Sequence, residues 1–167
     1  MKRTGFRRKP RKALKKATRR VLRAGTIHRA INPATGKILG VKGAKERAWK
    51  AVSRYVRSIE PRCCTCGEPT TEAGHYFHNS DKGNKQLGGN ELWYDIRNIH
   101  GQCSTCNRWK SGNLAAYTMF LEDRYGPGIV QELNRLFRTP KKWTIPEILA
   151  VEEKYQKDTV VNLSTSS

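Results

Sequence analysis

Apolar residues recur at three- and four-residue steps in four stretches of this chain, and each stretch predicts a helix. Trp49, Val52, Val56 and Ile59 share one face of a helix over 44–59. Lys45, Arg47, Lys50, Arg54 and Arg57 take the other faces, and Pro61 ends it. Leu114, Tyr117, Leu121 and Tyr125 line a second, expected from near Ser111 to Tyr125 with Gly126 closing it. Ile129, Val130, Leu133, Leu136 and Phe137 outline a third. Thr144 and Glu147 have capping-box spacing, which opens a fourth helix through about Lys157, with Pro146 tolerated in its first turn.

Elsewhere the period is lost. Tyr76 and Phe77 predict a brief strand after His75, and Leu92-Trp93-Tyr94 with Ile96 to Ile99 predicts another. Between them, Asn79 to Asn90 is rich in Gly, Asn, Asp and Lys and is expected to be an exposed loop. In residues 1–43, Phe6, Leu14, Val21 and Leu22 are too sparse for a core, and Pro33, Gly36, Gly40 and Gly43 break what remains. That segment reads as a flexible arm, with room for a weak helix over Lys12 to Ala24 on contact with phosphates. Residues 158–167 read as a disordered polar tail. No internal repeat is present. The class is α+β, with the folded domain spanning 44–157.

Charge changes this picture. The 167 residues carry a formal net charge of +19. Residues 1–60 hold 20 Lys and Arg against Glu46 and Glu60, whereas residues 61–167 hold 13 against 12 Asp and Glu. A cationic arm on a near-neutral body points to a polyanion, and nucleic acid fits best. Arg7, Arg8, Lys15, Lys16, Arg19 and Arg20 are its first contact candidates. An anionic membrane fits less well, because residues 1–25 show no sustained apolar face with aromatic anchors. No stretch of apolar residues resembles a secretory signal or is long enough to cross a bilayer. The expected setting is the reducing cytoplasm, where cysteines bind metal rather than pair as disulfides.

Cysteine spacing carries the chemistry. Cys63-x-x-Cys66 and Cys103-x-x-Cys106 form two knuckles that suit one tetrahedral zinc. Four thiolates close the shell, so this zinc is expected to be structural. It would also help a core built from only 37% hydrophobic residues. Cys64 is one residue too close to Cys66 for the knuckle and is left as a spare thiol. A zinc held this way would bring His75 near Asn107. The imidazole suits a general base near neutral pH. The Asn107 amide oxygen suits Mg or Mn, or equally a helix N-cap, and spacing leaves those two open. Arg97, Arg108 and Lys110 flank the motif as phosphate clamps or as ordinary solvated surface.

The segments Glu72-Ala73-Gly74-His75-Tyr76, Asp95-x-Arg97-Asn98-Ile99-His100-x-Gln102-Cys103-x-x-Cys106-Asn107 and Lys110-Ser111-Gly112-Asn113 together resemble the phage NinG/Rap recombination endonuclease family. That family is similar to HNH-type ββα-metal nucleases and to endonuclease VII resolvases. The resemblance covers about residues 44–157 and is densest from 63 to 117. It implies a zinc-stapled ββα-metal core acting on branched DNA, such as Holliday junctions or D-loops, in the host bacterial cytoplasm. It implies that His75 activates water, that Asn98 orients the catalytic loop, that Asn107 binds a catalytic Mg or Mn ion, and that Cys63, Cys66, Cys103 and Cys106 hold zinc. One position departs from the pattern. Many relatives place a metal-binding aspartate just before the histidine, where this chain has Gly74. Glu72 is the first substitute, with Asp81 and Asp95 as rivals. His100 is a candidate partner on the strand face of Asn98, and His28 and His78 are expected bystanders. A homodimer would suit two cuts in one junction. The contrasting expectation is a zinc-knuckle module that binds nucleic acid without cutting it; a sequence-specific restriction or homing enzyme is a third.

Overall fold

The stripe predicted over 44–59 does form a helix, α1 (Val41–Ile59), and it begins inside the segment expected to be arm. The computed structural model describes residue 36 and residues 39–78 and 90–165. Gly40 onward forms one compact unit. The arm candidates Arg7, Arg8, Lys15, Lys16, Arg19 and Arg20, the loop over 79–89 with Asp81, and His28 lie outside the described residues.

Helix α1 buries Ala44, Ala48, Ala51, Val52 and Val56. Three small residues on that face let another helix approach closely, and α4 (Ile145–Thr165) does so. Tyr155 of α4 packs 5.2 Å from Tyr55, Arg47 pairs with Glu152 at 2.9 Å, and Asn162 Nδ2 donates to Ser58 O at 3.2 Å. This contact overturns the expected tail over 158–167. Thr159 is buried, and the helix continues to Thr165. Composition suggested fraying, but tertiary packing extends the element. The capping box at its start forms as spaced: Thr144 N and Oγ1 both donate to Glu147 Oε2, at 2.8 and 2.7 Å.

A second cluster gathers Leu92, Tyr117, Leu121, Ile129 and Leu133 from α2 (Leu114–Tyr125), α3 (Ile129–Arg138) and the turn Glu91–Tyr94. Helix α2 starts later than the expected Ser111, because Ser111 and Asn113 have positive φ and shape a turn before it. The spare thiol of Cys64 packs at the edge of this cluster. Burial pushes that thiol well above its ordinary pKa.

The sheet is smaller than expected and shifted in sequence. Strand β1 (Glu72–His75) ends where Tyr76 and Phe77 were expected to begin one. It pairs antiparallel with β2 (Ile99–Gln102), matching Glu72 with Gln102 and His75 with Ile99. Tyr76 and Phe77 form a bend because the Asn98 side chain takes the backbone of Phe77: Phe77 N donates to Asn98 Oδ1 at 2.8 Å, and Asn98 Nδ2 donates to Phe77 O at 3.3 Å. Leu92–Tyr94 and Ile96–Asn98 are 3₁₀ turns rather than strand. The Asp95 side chain accepts from Arg97 N, which turns the chain at the position where a pleat was expected.

Glu60, just past α1, ties the sheet down. Its carboxylate accepts from Gly101 N at 2.6 Å, from His100 Nδ1 at 2.9 Å and from Arg124 at 2.7 Å. Burial works against its ionisation, but the bonds from His100 and Gly101 outweigh it and hold the carboxyl below its usual range. Glu60→Ala strands a buried imidazole and a backbone N–H, and is expected to cost about 3 kcal/mol or more in urea unfolding. The stabilisation is present at neutral pH and is lost as pH falls through the lowered carboxyl pKa. Glu60→Gln should therefore flatten the acid limb of the melting-temperature profile. An unchanged limb would show that Glu60 is not the group responsible.

Candidate functional site

The two knuckles meet. The four sulfurs of Cys63, Cys66, Cys103 and Cys106 lie within 4.8 Å of one another, and Cys66 Sγ is 3.6 Å from Cys103 Sγ. A tetrahedral zinc with Zn–S near 2.3 Å needs sulfurs about 3.8 Å apart. The donor set and spacing therefore fit a closed four-thiolate metal such as zinc. Burial opposes ionisation at Cys63, yet hydrogen bonds from Thr65 and from the Cys103 backbone draw its thiol down to about 6. The exposed Cys66 goes the other way, to about 12: the Glu68 backbone bond pulls it down, but the neighbouring sulfurs of Cys106, Cys63 and Cys103 together raise it. Metal binding requires all four as thiolates and would expel any protons they carry.

Knuckle geometry then sets the cleft. A turn of π-helix over Thr105–Trp109 begins within the second pair, includes Cys106, and carries Asn107 and Arg108 toward β1. Glu72, His75, His78, Asn107 and Arg108, with Arg57 from α1, line a polar cleft of about 530 Å³. His75 and Asn107 thus share one cavity despite their separation in the chain. Glu72 is the only carboxylate lining it among the described residues. Arg108 pairs with that carboxylate, and Asn107 Nδ2 donates to its Oε2 at 2.6 Å. Burial pushes the Glu72 carboxyl up, but the Arg108 and Asn107 bonds bring it below its ordinary range, so it is an anion at neutral pH.

The His75 ring is fixed on two sides. Trp49 stacks on it at 4.6 Å and 22°, and Trp93 lies 5.6 Å away. His75 Nε2 lies 3.3 Å from the Trp93 carbonyl. A carbonyl only accepts, so Nε2 carries the proton and Nδ1 keeps its lone pair. Burial lowers the imidazole pKa to about 4, against the pull of the Trp93 carbonyl, with His78 adding to the lowering. At pH 7 the ring is a neutral acceptor of protons.

Other sequence expectations shift. Arg97 is not a free clamp: it donates to both Asp95 oxygens and to Glu132 Oε1 at 2.7 Å. Asp95 does not line the cleft, so Glu72 is the carboxylate available there. Lys110 is exposed but does not line the cleft. His100 belongs to the Glu60 network, and Asn98 sits in a turn rather than on its strand face. His78 lines the cleft 6.0 Å from His75 rather than standing aside. Asn98 itself is buried and latches the bend after His75 through both amide atoms. Asn98→Ala removes both bonds and leaves Phe77 N–H unsatisfied. The expected loss is about 2–3 kcal/mol in chemical unfolding, with Asn98→Asp retaining part of it through Oδ1. Equal stability of all three proteins would remove the latch.

Periodicity missed three participants. Trp49 was placed on the core face of α1, yet it is the stacking partner of His75. Tyr117 is fully buried, and its hydroxyl donates to Gly74 O at 3.0 Å, tying α2 to β1. Gln102 faces Glu72 across the sheet and is also fully buried. A polar residue beside a knuckle cysteine, on a strand with no exposed face, was the available signal for Gln102.

Among the described residues no helix is long and apolar enough to cross a membrane. No solved structure matches the chain. Curated relatives do. "Protein ninG" of Escherichia phage lambda is 36% identical over 117 residues, covering 67% of this chain and 53% of that protein. "Protein ninG" of Escherichia phage 933W is 34% identical, covering 67% and 54%. "Protein ninG" of Salmonella phage P22 is 33% identical, again covering 67% and 54%. The chain thus spans about half the length of these relatives. The family model described as "Bacteriophage Lambda NinG protein" matches residues 2–163. With nearly every residue inside that match, the chain belongs to the NinG family.

Proposed function

We propose that this protein is a divalent-metal-dependent DNA endonuclease of HNH type that acts on branched recombination intermediates. The observation that carries the proposal is the His75 imidazole. It is neutral, its Nε2 is committed to a backbone carbonyl, and it shares a polar cleft with Glu72 and Asn107. A neutral imidazole lining the same cleft as two hard-oxygen side chains is the combination that water activation needs. The chain order of knuckle, strand, strand, knuckle and helix supports an HNH reading of the core, and the four-thiolate cluster supports a structural zinc.

In the proposed reaction His75 Nδ1 takes a proton from water, which attacks the phosphodiester. Trp49 and Trp93 hold the ring in place, and Asn98 fixes the bend that follows it. Glu72 and Asn107 would hold a Mg or Mn ion, whose contribution is to stabilise charge on the phosphate and on the departing oxygen. Arg57 and Arg108 lie on the cleft wall as phosphate contacts. The basic N-terminal third supplies non-specific affinity that falls steeply with salt. Nothing in the described residues resembles a base-reading recognition helix, which favours shape over sequence.

The test is cleavage of an end-labelled four-way junction in Mg²⁺ or Mn²⁺, beside linear duplexes of the same sequence. Nicking of the junction alone is the expected result. Binding without nicking under any divalent ion would leave a nucleic-acid-binding module. Cutting confined to one duplex sequence would point to a restriction-type enzyme.

A further inference from the structure

Two carboxamides beside Gly74 have their nitrogens committed and their oxygens left over. Gln102 is fully buried on β2, and its Nε2 donates to Gly112 O at 2.8 Å. That bond fixes the amide orientation, because the flipped form would set one oxygen against another. Gln102 Oε1 then has no hydrogen-bond partner. Asn107 is fixed in the same way: its Nδ2 donates to the Glu72 carboxylate, which can only accept, so its Oδ1 faces elsewhere.

Both oxygens converge on the bare α-carbon of Gly74. A Cβ placed on that residue would lie 2.1 Å from Gln102 Oε1 and 2.9 Å from Asn107 Oδ1. Any side chain at position 74 would have to expel Gln102. This accounts for the missing aspartate in physical terms: its space is already taken, and an oxygen is what takes it. Two acceptor oxygens with no donor between them, next to a carboxylate, make an arrangement that attracts a hard cation. Glu72 and Asn107 line the cleft, so a cation held there is reachable from it.

We propose that Gln102 Oε1 supplies the metal-facing oxygen that Gly74 cannot, and that with Asn107 Oδ1 and Glu72 it forms an all-oxygen site for one Mg²⁺ or Mn²⁺ ion. The proposal deepens the metal-dependent reading of the cleft and rests on it. The ligand set is one carboxylate and two neutral carboxamides. It carries less charge than a pair of carboxylates, which predicts modest affinity and leaves the Arg108 side chain free for phosphate once the metal has taken Glu72.

The test is Mn²⁺ titration of the zinc-loaded full chain, followed by the electron paramagnetic resonance signal of free Mn²⁺. Zinc content and the unfolding transition are measured on each variant. Wild type is expected to bind one Mn²⁺, and Gln102→Leu to bind it about ten-fold or more weakly. Gln102→Glu keeps an oxygen on the site but sets its second oxygen against Gly112 O, so it should bind more tightly than Gln102→Leu. If Gln102→Leu fails to fold, the pair Gly74→Asp with Gln102→Ala decides: it clears the space, returns a carboxylate, and should restore Mn²⁺ binding. Equal Mn²⁺ affinity in wild type and Gln102→Leu overturns the proposal. It leaves the endonuclease reading intact if wild type still nicks the junction. A Gly74→Asp/Gln102→Ala pair and a Gln102→Glu variant that bind no better than Gln102→Leu also overturn it. Wild type that binds no Mn²⁺ at all overturns the proposal and the metal-dependent reading together.

Discussion

Exchanging Cys106 for serine is expected to yield a chain with no tightly held zinc and no cooperative unfolding of the sheet and cleft. The strands the cluster joins are only four residues each, and a two-stranded sheet is marginal by itself. The buried residues nearest the knuckles are the cysteines themselves, Cys63, Cys103 and Cys106, which form their own small cluster. A structural zinc contributes on the order of 10–16 kcal/mol in small domains. Whole-protein stability is only about 5–15 kcal/mol. Losing the metal therefore exceeds what the remaining packing can supply locally. Metal analysis and thermal unfolding followed by circular dichroism, with and without chelator, measure this. Cys64→Ser is the control, because Cys64 packs against the core outside the metal cluster; it should keep one zinc per chain. A Cys106→Ser protein that melts like wild type, or a wild type that carries no zinc, would reject the metal as the staple of this fold.

His75→Ala is expected to reduce junction cleavage by about 10²–10⁴-fold, the range for losing a positioned general base, while binding changes little. In the proposed reading, affinity comes from the cationic segment and from Arg57 and Arg108, none of which the substitution removes. The pH profile adds an independent check. Protonation disables the base, and burial has lowered the imidazole to about 4. The acid limb assigned to His75 should therefore fall near pH 4 rather than near the ordinary 6.5, leaving the rate flat across neutral pH. Rates that drop already at pH 6.5, or a His75→Ala protein that cuts at the wild-type rate, would remove His75 from the proposed role. Loss of binding alongside cleavage would instead show that the Trp49 and Trp93 stack had collapsed.

The helices were the most legible part of the fold. Each apolar stripe marks a face that has to be buried, and Val52, Val56, Tyr117, Leu121 and Leu133 are all fully buried. Boundaries were less legible. The last helix runs to Thr165 because α1 offers it a surface, which a polar tail gives no hint of. The strands were displaced because β-propensity marks residues that suit a half-buried surface, not residues that form a ladder. Tyr76, Phe77, Leu92 and Tyr94 suit such a surface, yet they pack as a bend and a turn around Asn98 and Asp95. The true strands contain Gly74, His75, His100 and Gly101, which carry little propensity. Their pairing depends on the Glu60 bonds to His100 and Gly101 and on the neighbouring knuckle.

The candidate site divides in the same way. Spacing alone determined the four-cysteine cluster, since a Cys-x-x-Cys turn is short enough to present both sulfurs to one ion whatever surrounds it. It also gave the expectation that His75 and Asn107 come together, and both line one cleft. Only the folded chain could decide charge state, orientation and competition. Arg97 was lost to Asp95 and Glu132, His75 was made neutral by its burial in the folded chain, and Gln102 was brought against Gly74 by strand register. Those outcomes depend on which groups meet across the fold and on how much water they lose there, and local sequence encodes neither.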